Sequence, residues 1–188
     1  MNALRDRHEV TQKNDKLFEI RVTKDELMQT IAFLRADTDF MTLSQIACTD
    51  WIEDEIFLLN YIFTSKNRDK NLMIKVTISR DGESMPSIHA DSPQAEVMER
   101  DLHEMYGIVF DGNDTLYDFS LEDWKGIPPL RRDFDTLEFV NANFDFKGGR
   151  DDNKDVKVEL KRRREEAKKQ KALEAALEVK TEVDNDGQ

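Results

Sequence analysis

Apolar and polar residues alternate in short blocks through the first third of the chain, and each block predicts one element. The apolar stretch Leu17–Val22 is typical of a strand. Thr23–Glu26 then carries the residues of a capping box, in which the threonine oxygen accepts a hydrogen bond from the amide three residues on and the glutamate reaches back. Leucine and isoleucine follow at helical spacing, so the pattern predicts a helix over Lys24–Asp37.

Three further strands are predicted from runs of aromatic and branched residues. They cover Phe40–Asp50, Glu55–Thr64 and Asn71–Ser79. The residues between the last two, Ser65–Lys70, are polar and suit a hairpin tip. Strands joined by so short a turn are expected to be antiparallel.

A second helix is predicted to begin at Ser92-Pro93, because serine is a good N-cap and proline is tolerated at the first helical position. Gly107 ends this helix, where a left-handed residue is wanted. The apolar stripe of the helix is expected to be buried against the sheet and consists of Ala95, Met98, Leu102 and Met105.

Proline and glycine become frequent after this helix, which predicts an extended, irregular segment. The last residues favour a helix, but its apolar stripe is thin. We therefore divide the chain into a flexible leader (1–16), an α+β domain (17–110), an extended docking arm (111–150) and a charged helical tail (151–188). The predicted fold class is α+β, a small and mainly antiparallel sheet with helices on one face.

Composition narrows the class of protein. The 188 residues carry 28 Lys and Arg against 40 Asp and Glu, a net charge of −12, which argues against nonspecific nucleic-acid binding. No stretch approaches the roughly 20 apolar residues of a membrane-spanning helix, and the first residues lack the apolar run of a signal peptide. The single cysteine, Cys48, cannot form an internal disulfide, so we expect a reducing, cytosolic compartment.

Patterns that carry chemistry are missing from the sequence. The scattered glycines build no phosphate-binding or dinucleotide-binding loop. The three histidines, His8, His89 and His103, and the one cysteine lack the spacing of metal ligands. No nucleophile elbow is present. We therefore predict no catalytic, metal-binding or cofactor-binding residue in this chain.

A binding surface is the more credible function for the arm. It combines large apolar residues with arginines, the residue types enriched at interface centres. The alternative is that the arm folds back onto its own sheet. The residues concerned are Trp124, Pro129, Leu130, Arg131, Arg132, Asp133 and Phe134.

Two long motifs resemble a known family. The stretch 99–108 (ERDLHEMYGI), with Phe110 and Gly112 after it, is similar to the signature helix of the 30 kDa (C-type) subunit of respiratory complex I. The stretches 121–126 (LEDWKG) and 129–134 (PLRRDF) resemble the second motif of that family, and 86–88 (PSI) its lead-in.

The resemblance implies a protein without a redox centre or catalytic residue. It implies docking on a hydrogenase-like, D-type large subunit, and on a small, B-type iron–sulfur subunit, which hold the iron–sulfur clusters and any nickel–iron centre. Membrane contact would come only through the complex, on the cytoplasmic side. We expect the partner interface to include the arm residues named above and outward-facing Glu99, Arg100, Asp101 and His103.

One departure from the family pattern helps to decide to which branch of the family the chain is most similar. Complex I members usually continue with G-H-P-x-L-R-R after the helix, whereas residues 112–118 here read GNDTLYD. This form looks more like relatives in energy-converting, membrane-bound nickel–iron hydrogenases. The leading hypothesis is therefore a non-catalytic structural subunit of a ferredoxin-linked, ion-translocating hydrogenase. The alternatives are the C-type subunit of an NADH-quinone oxidoreductase and, from another class, a free-standing soluble adaptor.

Overall fold

The computed structural model of the protein describes residues 2–144, with side chains from Leu4 onward. The predicted charged tail, 151–188, and the end of the predicted arm lie outside the described residues. The elements, in chain order, are α1 (Asn2–Arg5), β1 (Thr11–Gln12), β2 (Leu17–Arg21), α2 (Lys24–Asp37), β3 (Phe40–Trp51), β4 (Ile56–Ser65), β5 (Asn71–Ser79), β6 (Met85–Pro86), α3 (Ala95–Tyr106), β7 (Phe110–Asp111) and α4 (Thr136–Asn143).

Five strands form the main sheet in the order β1-β2-β5-β4-β3. The hairpin prediction is confirmed, because β4 and β5 pair antiparallel with Ile56 opposite Ser79 and Thr64 opposite Asn71. β3 pairs antiparallel with β4, and β2 pairs parallel with β5. The sheet is therefore mainly antiparallel and, with its helices, gives the predicted α+β class.

The core lies on one face of this sheet. Every second residue of the central strands is buried, and the residues between them are partly or fully exposed, as a sheet covered on one side requires. Helices α2 and α3 both contact the sheet. Each buried side chain contributes about 1.5–3 kcal/mol relative to exposure. The core residues contributed by β4 and β5 are Phe57, Leu59, Tyr61, Phe63, Leu72, Ile74, Val76 and Ile78.

The helix over Lys24–Asp37 has the predicted bounds. The Glu26 carboxylate accepts hydrogen bonds from the Thr23 backbone N–H and from Thr23 Oγ1, both at 2.9 Å. The local capping signal therefore sets where this helix begins.

The leader, expected to be flexible, has fixed contacts in the structure. Residues Asn2–Arg5 form a helical turn, and Leu4 is fully buried in the core. The Arg7 guanidinium lies 4.2 Å from the centre of the Phe33 ring on α2. Strand β1 pairs antiparallel with β2. The contacts of this polar segment are made by long-range packing rather than by a local pattern, and its flexibility stays a prediction.

The second helix begins later than predicted, and of its predicted apolar stripe only Ala95 and Leu102 are fully buried. It starts at Ala95, and Ser92 is buried before it, with its Oγ accepting a hydrogen bond from Arg35. The predicted Met98 and Met105 are only partly buried, whereas charged residues of the helix are buried. Two short strands were not predicted. The two-residue strand β6 precedes this helix in the sequence and β7 follows it, and the two strands pair parallel with each other.

A second unit of the chain begins after Thr136. The described part of that unit, 137–144, contains most of α4, although the segment was expected to be irregular through about Gly149. The rings of Phe139 and Phe144 lie 6.2 Å apart in an edge arrangement. Within residues 2–144, no helix combines the length and the apolar character needed to span a membrane.

Candidate functional site

The site is built where helix α3 meets the segments that precede and follow it. We call residues 112–135 the arm segment. Charged side chains of α3 contact the first half of this segment, and residues in and next to the sheet hold its other end.

Glu99 is fully buried and binds both loops that flank the helix. Its Oε1 accepts a hydrogen bond from the Ile88 N–H at 2.8 Å. Its Oε2 accepts hydrogen bonds from Ser87 Oγ at 2.5 Å and from Asn113 Nδ2 at 2.9 Å. A buried carboxylate requires this many donors, because an unpaired one costs several kcal/mol. We call this group the Glu99 clasp.

The Glu99 clasp also sets the start of the arm segment. Asn113 Oδ1, on the other side of the same amide, accepts hydrogen bonds from the N–H and the hydroxyl of Thr115 at 3.0 and 2.7 Å. One side chain therefore joins the buried carboxylate to the first turn of the arm segment.

Glu104, one helical turn and a half further along α3, holds the next part of the arm segment. Its Oε1 accepts hydrogen bonds from the backbone N–H groups of Phe119, Ser120 and Leu121, the first two at 2.9 and 2.8 Å. Burial alone raises the pKa of the Glu104 carboxyl. The three donors and the nearby Arg100 outweigh it and hold that pKa below its ordinary value, so the side chain is a carboxylate at neutral pH.

Arg100 lies near Glu104 and packs against two aromatic rings. Its guanidinium carbon is 4.9 Å from the ring centre of Tyr117 and 4.6 Å from that of Phe119. The arginine is 8% exposed, whereas the rings are 59% and 65% exposed. The buried cation therefore supports two aromatic side chains that face solvent.

The far end of the arm segment is fastened to the sheet by Arg131. Its Nε donates to the Tyr106 carbonyl and its Nη2 to the Arg80 carbonyl, both at 2.9 Å. Its guanidinium lies 5.2 Å from the centre of the Phe57 ring. The Leu130 N–H donates to the Met105 carbonyl at 3.0 Å. These bonds hold the end of the arm segment next to the C-terminal end of α3.

An ion-pair network next to Arg131 completes the attachment. Arg80 binds Asp50 on β3 at 2.8 Å and Asp133 in the arm segment at 2.5 Å. Asp50 also accepts a hydrogen bond from the Arg132 N–H at 2.9 Å. Burial raises the pKa of the Asp50 carboxyl, but the bonds from Arg80 and Arg132 outweigh it and lower that pKa. Arg132 additionally pairs with exposed Glu53 at 2.7 Å.

Trp124 lies between these two attachments. Its indole Nε1 donates to the Ile127 carbonyl at 3.1 Å, and its ring centre is 5.5 Å from that of Phe134. Ile127 and Leu130 are exposed at 44% and 52%. The middle of the arm segment is thus ordered by its own contacts while it leaves apolar surface uncovered.

The sequence left two alternatives for the arm, a binding surface or a segment folded back onto the sheet, and different residues of the arm segment follow different alternatives. Arg131, Arg132 and Asp133 fold back onto the body, as the second alternative held. Leu130 and the aromatic residues before it keep exposed surface, and Pro129 and Phe134 are half-buried. Whether these residues contact a partner stays a prediction.

The expectation that Glu99 and Arg100 face outward is wrong. Both are buried, because Glu99 meets donors from two loops and Arg100 lies under two rings. Asp101 is exposed. His103 is half-buried, and its Nδ1 is 2.8 Å from the Ile108 carbonyl.

Sequence reasoning missed several residues of this site, namely Asp50, Arg80, Glu104 and Asn113. Their partners are distant in the chain, 30 residues between Asp50 and Arg80 and 14 between Asn113 and Glu99. The available signal was the position of Glu99 on the helix side that also carries Ala95 and Leu102. Polar residues at such positions indicate buried hydrogen bonding.

The hydrogen bonds and ion pairs of this site attach the arm segment to the body. In the part of the chain that the structure describes, no three His, Cys, Asp or Glu side chains are grouped so as to hold a metal ion. Burial, together with the nearby Asp50, raises the pKa of the Cys48 thiol to about 12. Such a thiol is protonated at neutral pH and is a poor nucleophile.

Comparisons with known proteins give concordant results. The model of the family described as "Respiratory-chain NADH dehydrogenase, 30 Kd subunit" matches residues 20–140. The C-type subunit of NADH-quinone oxidoreductase from Rhizobium etli (strain CFN 42) is 31% identical over 129 residues, which cover 67% of this chain and 64% of the relative. The corresponding protein of Dinoroseobacter shibae is 31% identical, covering 65% of this chain and 58% of the relative. The chain therefore spans less than two thirds of these relatives.

Two solved structures share the fold. A chain of the membrane-bound sulfane sulfur reductase, described as an archaeal respiratory membrane complex, superimposes with a TM-score of 0.71 at 26% identity, covering 80% of this chain and 94% of that chain. The trypsin-resistant fragment of Nqo5 superimposes with a TM-score of 0.52 at 19% identity, covering 63% of this chain and 94% of the fragment.

Proposed function

Because the chain belongs to the 30 kDa subunit family of the respiratory-chain NADH dehydrogenase, we propose that it is a non-catalytic structural subunit of a membrane-associated, multi-subunit oxidoreductase. The observation that carries this proposal is the arm segment. It is fastened to the body by Glu99, Glu104 and Arg131, yet it exposes aromatic and aliphatic side chains to solvent.

This geometry suits docking for a physical reason. Ordering a loop during association costs free energy that subtracts from affinity, and a loop already ordered avoids that cost. The Glu99 clasp, the Glu104 bonds and the Arg80 network order the arm segment in the free chain. The exposed rings then supply the apolar area on which interface affinity mainly depends.

Within the family, we propose that the chain belongs to the energy-converting branch that includes membrane-bound nickel–iron hydrogenases. The sulfane sulfur reductase chain supports this assignment, since it superimposes on 80% of this chain with a TM-score of 0.71 at 26% identity. The turn Gly112-Asn113 adds support, because Asn113 makes the Glu99 clasp where the quinone-linked pattern has histidine.

The proposed partners are a hydrogenase-like, D-type large subunit, together with a small, B-type iron–sulfur subunit. They would hold the iron–sulfur clusters and, in the hydrogenase branch, the nickel–iron centre. The chain would lie on the cytoplasmic side of the membrane and touch it only through the complex. The second candidate is the C-type subunit of an NADH-quinone oxidoreductase, which the 31% identity to such proteins favours.

Purification of the native complex through a tag on the full chain tests the proposal. We expect subunits of an oxidoreductase in the eluate, including a large subunit with two nickel-binding cysteine pairs. A large subunit without those pairs would move the assignment to the quinone-linked candidate. Elution of the chain alone would overturn the structural role and favour a free-standing adaptor.

Substitution of Trp124 tests the arm segment itself. Trp124→Ala removes the ring that packs on Phe134, and truncation of such an anchor costs about 2 kcal/mol or more, roughly a 30-fold loss of retention in the complex. The matched control is Trp51→Ala, an exposed tryptophan at the end of β3 and outside the arm segment. Equal retention of the two variants, with unchanged circular dichroism, would contradict the docking role of the arm segment.

A further inference from the structure

We propose that the pair of exposed rings, Tyr117 and Phe119, is received by a protein surface with an apolar centre and a rim of lysine and arginine. This inference rests on the proposed function and specifies the chemistry of the partner. It follows from the fixed position of the rings, from the negative charge around them and, third, from the classes of partner that this charge disfavours.

The first feature is that the two rings are presented in a fixed position. Arg100 lies under both of them, at 4.9 and 4.6 Å from their centres. Glu104 binds the backbone N–H of Phe119 and of the two residues after it. Although they are more than half exposed, the rings therefore have a rigid base. Exposed aromatic pairs held in this way are typical of interface centres.

The second feature is the charge around the rings. Four exposed carboxylates lie in the same stretch of chain as the rings, against a single lysine, Lys125. Within residues 2–144, none of the four takes part in an ion pair. These residues are Asp114, Asp118, Glu122 and Asp123.

The third feature is what this charge disfavours. Nucleic acid and anionic lipid surfaces are negatively charged, and contact with either would place like charges together at the rim. A second copy of the chain would bring its own acidic rim against this one. A basic protein surface is the occupant that neutralises the rim and covers the rings at the same time.

Crosslinking identifies the chemistry of the partner surface directly. Phe119→p-benzoylphenylalanine, in the full chain within the native complex, is irradiated and the crosslinked peptide is sequenced. We expect a peptide of another subunit with net positive charge. The control is the same replacement at Met41, which is 49% exposed on β3 and outside the arm segment. An acidic or neutral peptide, a second copy of the chain, a lipid or no crosslink at Phe119 would overturn the inference.

Charge reversal gives the energetic test. The double variant D118K/E122K is expected to lower retention in the native complex about tenfold at about 50 mM salt, and the loss is expected to shrink to about twofold at about 500 mM because salt screens the rim. The matched control is D37K/D39K, the same charge change at exposed residues where α2 ends. Equal retention of the two double variants overturns the inference.

The two proposals fail in different ways in this experiment. If the wild-type chain elutes without any oxidoreductase subunit, the proposed function is wrong. If the wild-type chain elutes with the complex, and D118K/E122K elutes as D37K/D39K does, the proposed function stands and only the basic rim of the partner is wrong.

Discussion

Gly107 ends helix α3 and, because it has no Cβ, allows the arm segment to pack closely against it. Its φ of +78° is a left-handed conformation that side chains with a Cβ adopt at a cost. A Cβ built at this position would lie 3.2 Å from Cγ of Pro128. The glycine therefore serves two needs, the helix end and the close approach of the arm segment.

Gly107→Ala is expected to lower the free energy of unfolding by about 2 kcal/mol, since an alanine in the left-handed region costs about 1–2 kcal/mol and the contact with Pro128 adds to it. Urea denaturation measures the change. The matched control is Gly82→Ala, where φ is +75° but nothing lies within 4 Å of the added Cβ. Equal losses in the two variants would mean that the approach of Pro128 is energetically unimportant.

Glu99→Gln tests the buried carboxylate. The amide group keeps the size of the side chain but turns one acceptor into a donor, which then faces the donors of Ser87 and Asn113. We expect a loss of about 2–3 kcal/mol in the free energy of unfolding. Glu96→Gln, three residues earlier on the same helix and only partly buried, is the control and is expected to change stability by less than about 0.5 kcal/mol. A stable Glu99→Gln variant would show that the Glu99 clasp is dispensable.

At the scale of elements, the arm segment is neither a free loop nor a part of the sheet. Its two ends are bound, by Glu104 on α3 and by Arg80 after β5, and its middle is ordered by Trp124 against Phe134. The bound ends explain why the fold-back alternative is right for Arg131–Asp133. The exposed middle explains why the same segment remains a candidate interface.

The attachment by Glu104 is expected to depend on pH in a defined direction. The folded-state pKa of Glu104 is lowered from 4.5, so its contribution is complete above that value and is lost as the pH falls through the lowered pKa. In a Trp51→Phe background, the emission of Trp124 reports the order of the arm segment. With Glu104 intact in this background, we expect the emission to be constant from pH 7 to about 5 and to shift toward that of exposed tryptophan below about 4.

Glu104→Gln is the control for this titration. Without the carboxylate, the arm segment is expected to be less ordered at neutral pH, and the difference between variant and wild type is expected to shrink as the pH falls. Asp50 titrates in both proteins, so its effect cancels in the comparison. A difference that is constant from pH 7 to 3 would contradict the assignment of this effect to Glu104.

At the scale of the whole molecule, residues 2–136 are organised around one covered face of the five-stranded sheet. Cys48 is packed against this core and is the single thiol of the protein. Tyr106, near the end of α3, donates to the Cys48 carbonyl at 3.3 Å. The thiol therefore lies where the sheet, the helix and the return of the arm segment meet.

Reaction of Cys48 with a disulfide reagent is expected to report opening of this core. With a pKa of about 12, about one thiol in ten thousand is ionised at pH 8, against about a quarter for an ordinary cysteine. We expect the folded protein to react at least about a thousandfold more slowly than the protein in denaturant. Fast reaction of the folded protein would contradict the burial of the thiol.

Local patterns in the sequence were enough to predict most of the regular elements. Lys24–Asp37 and Asn71–Ser79 have the predicted bounds. A capping signal sets the first, and a strict alternation of buried and exposed residues sets the second. Two-residue strands and the helical turn at Asn2–Arg5 carry no such local signal, and only contacts with distant segments stabilise them.

The sequence by itself determined that the chain is an α+β protein of a known subunit family, and it located the motifs that build the site. Only the tertiary structure decided which charged residues of α3 are buried. A carboxylate on a helix is more stable when exposed to water, unless hydrogen-bond donors of the protein surround it. The donors that surround Glu99 and Glu104 come from loops 11 to 17 residues away in the chain. Because helical spacing describes one element at a time, the placement of these carboxylates depends on how the elements pack.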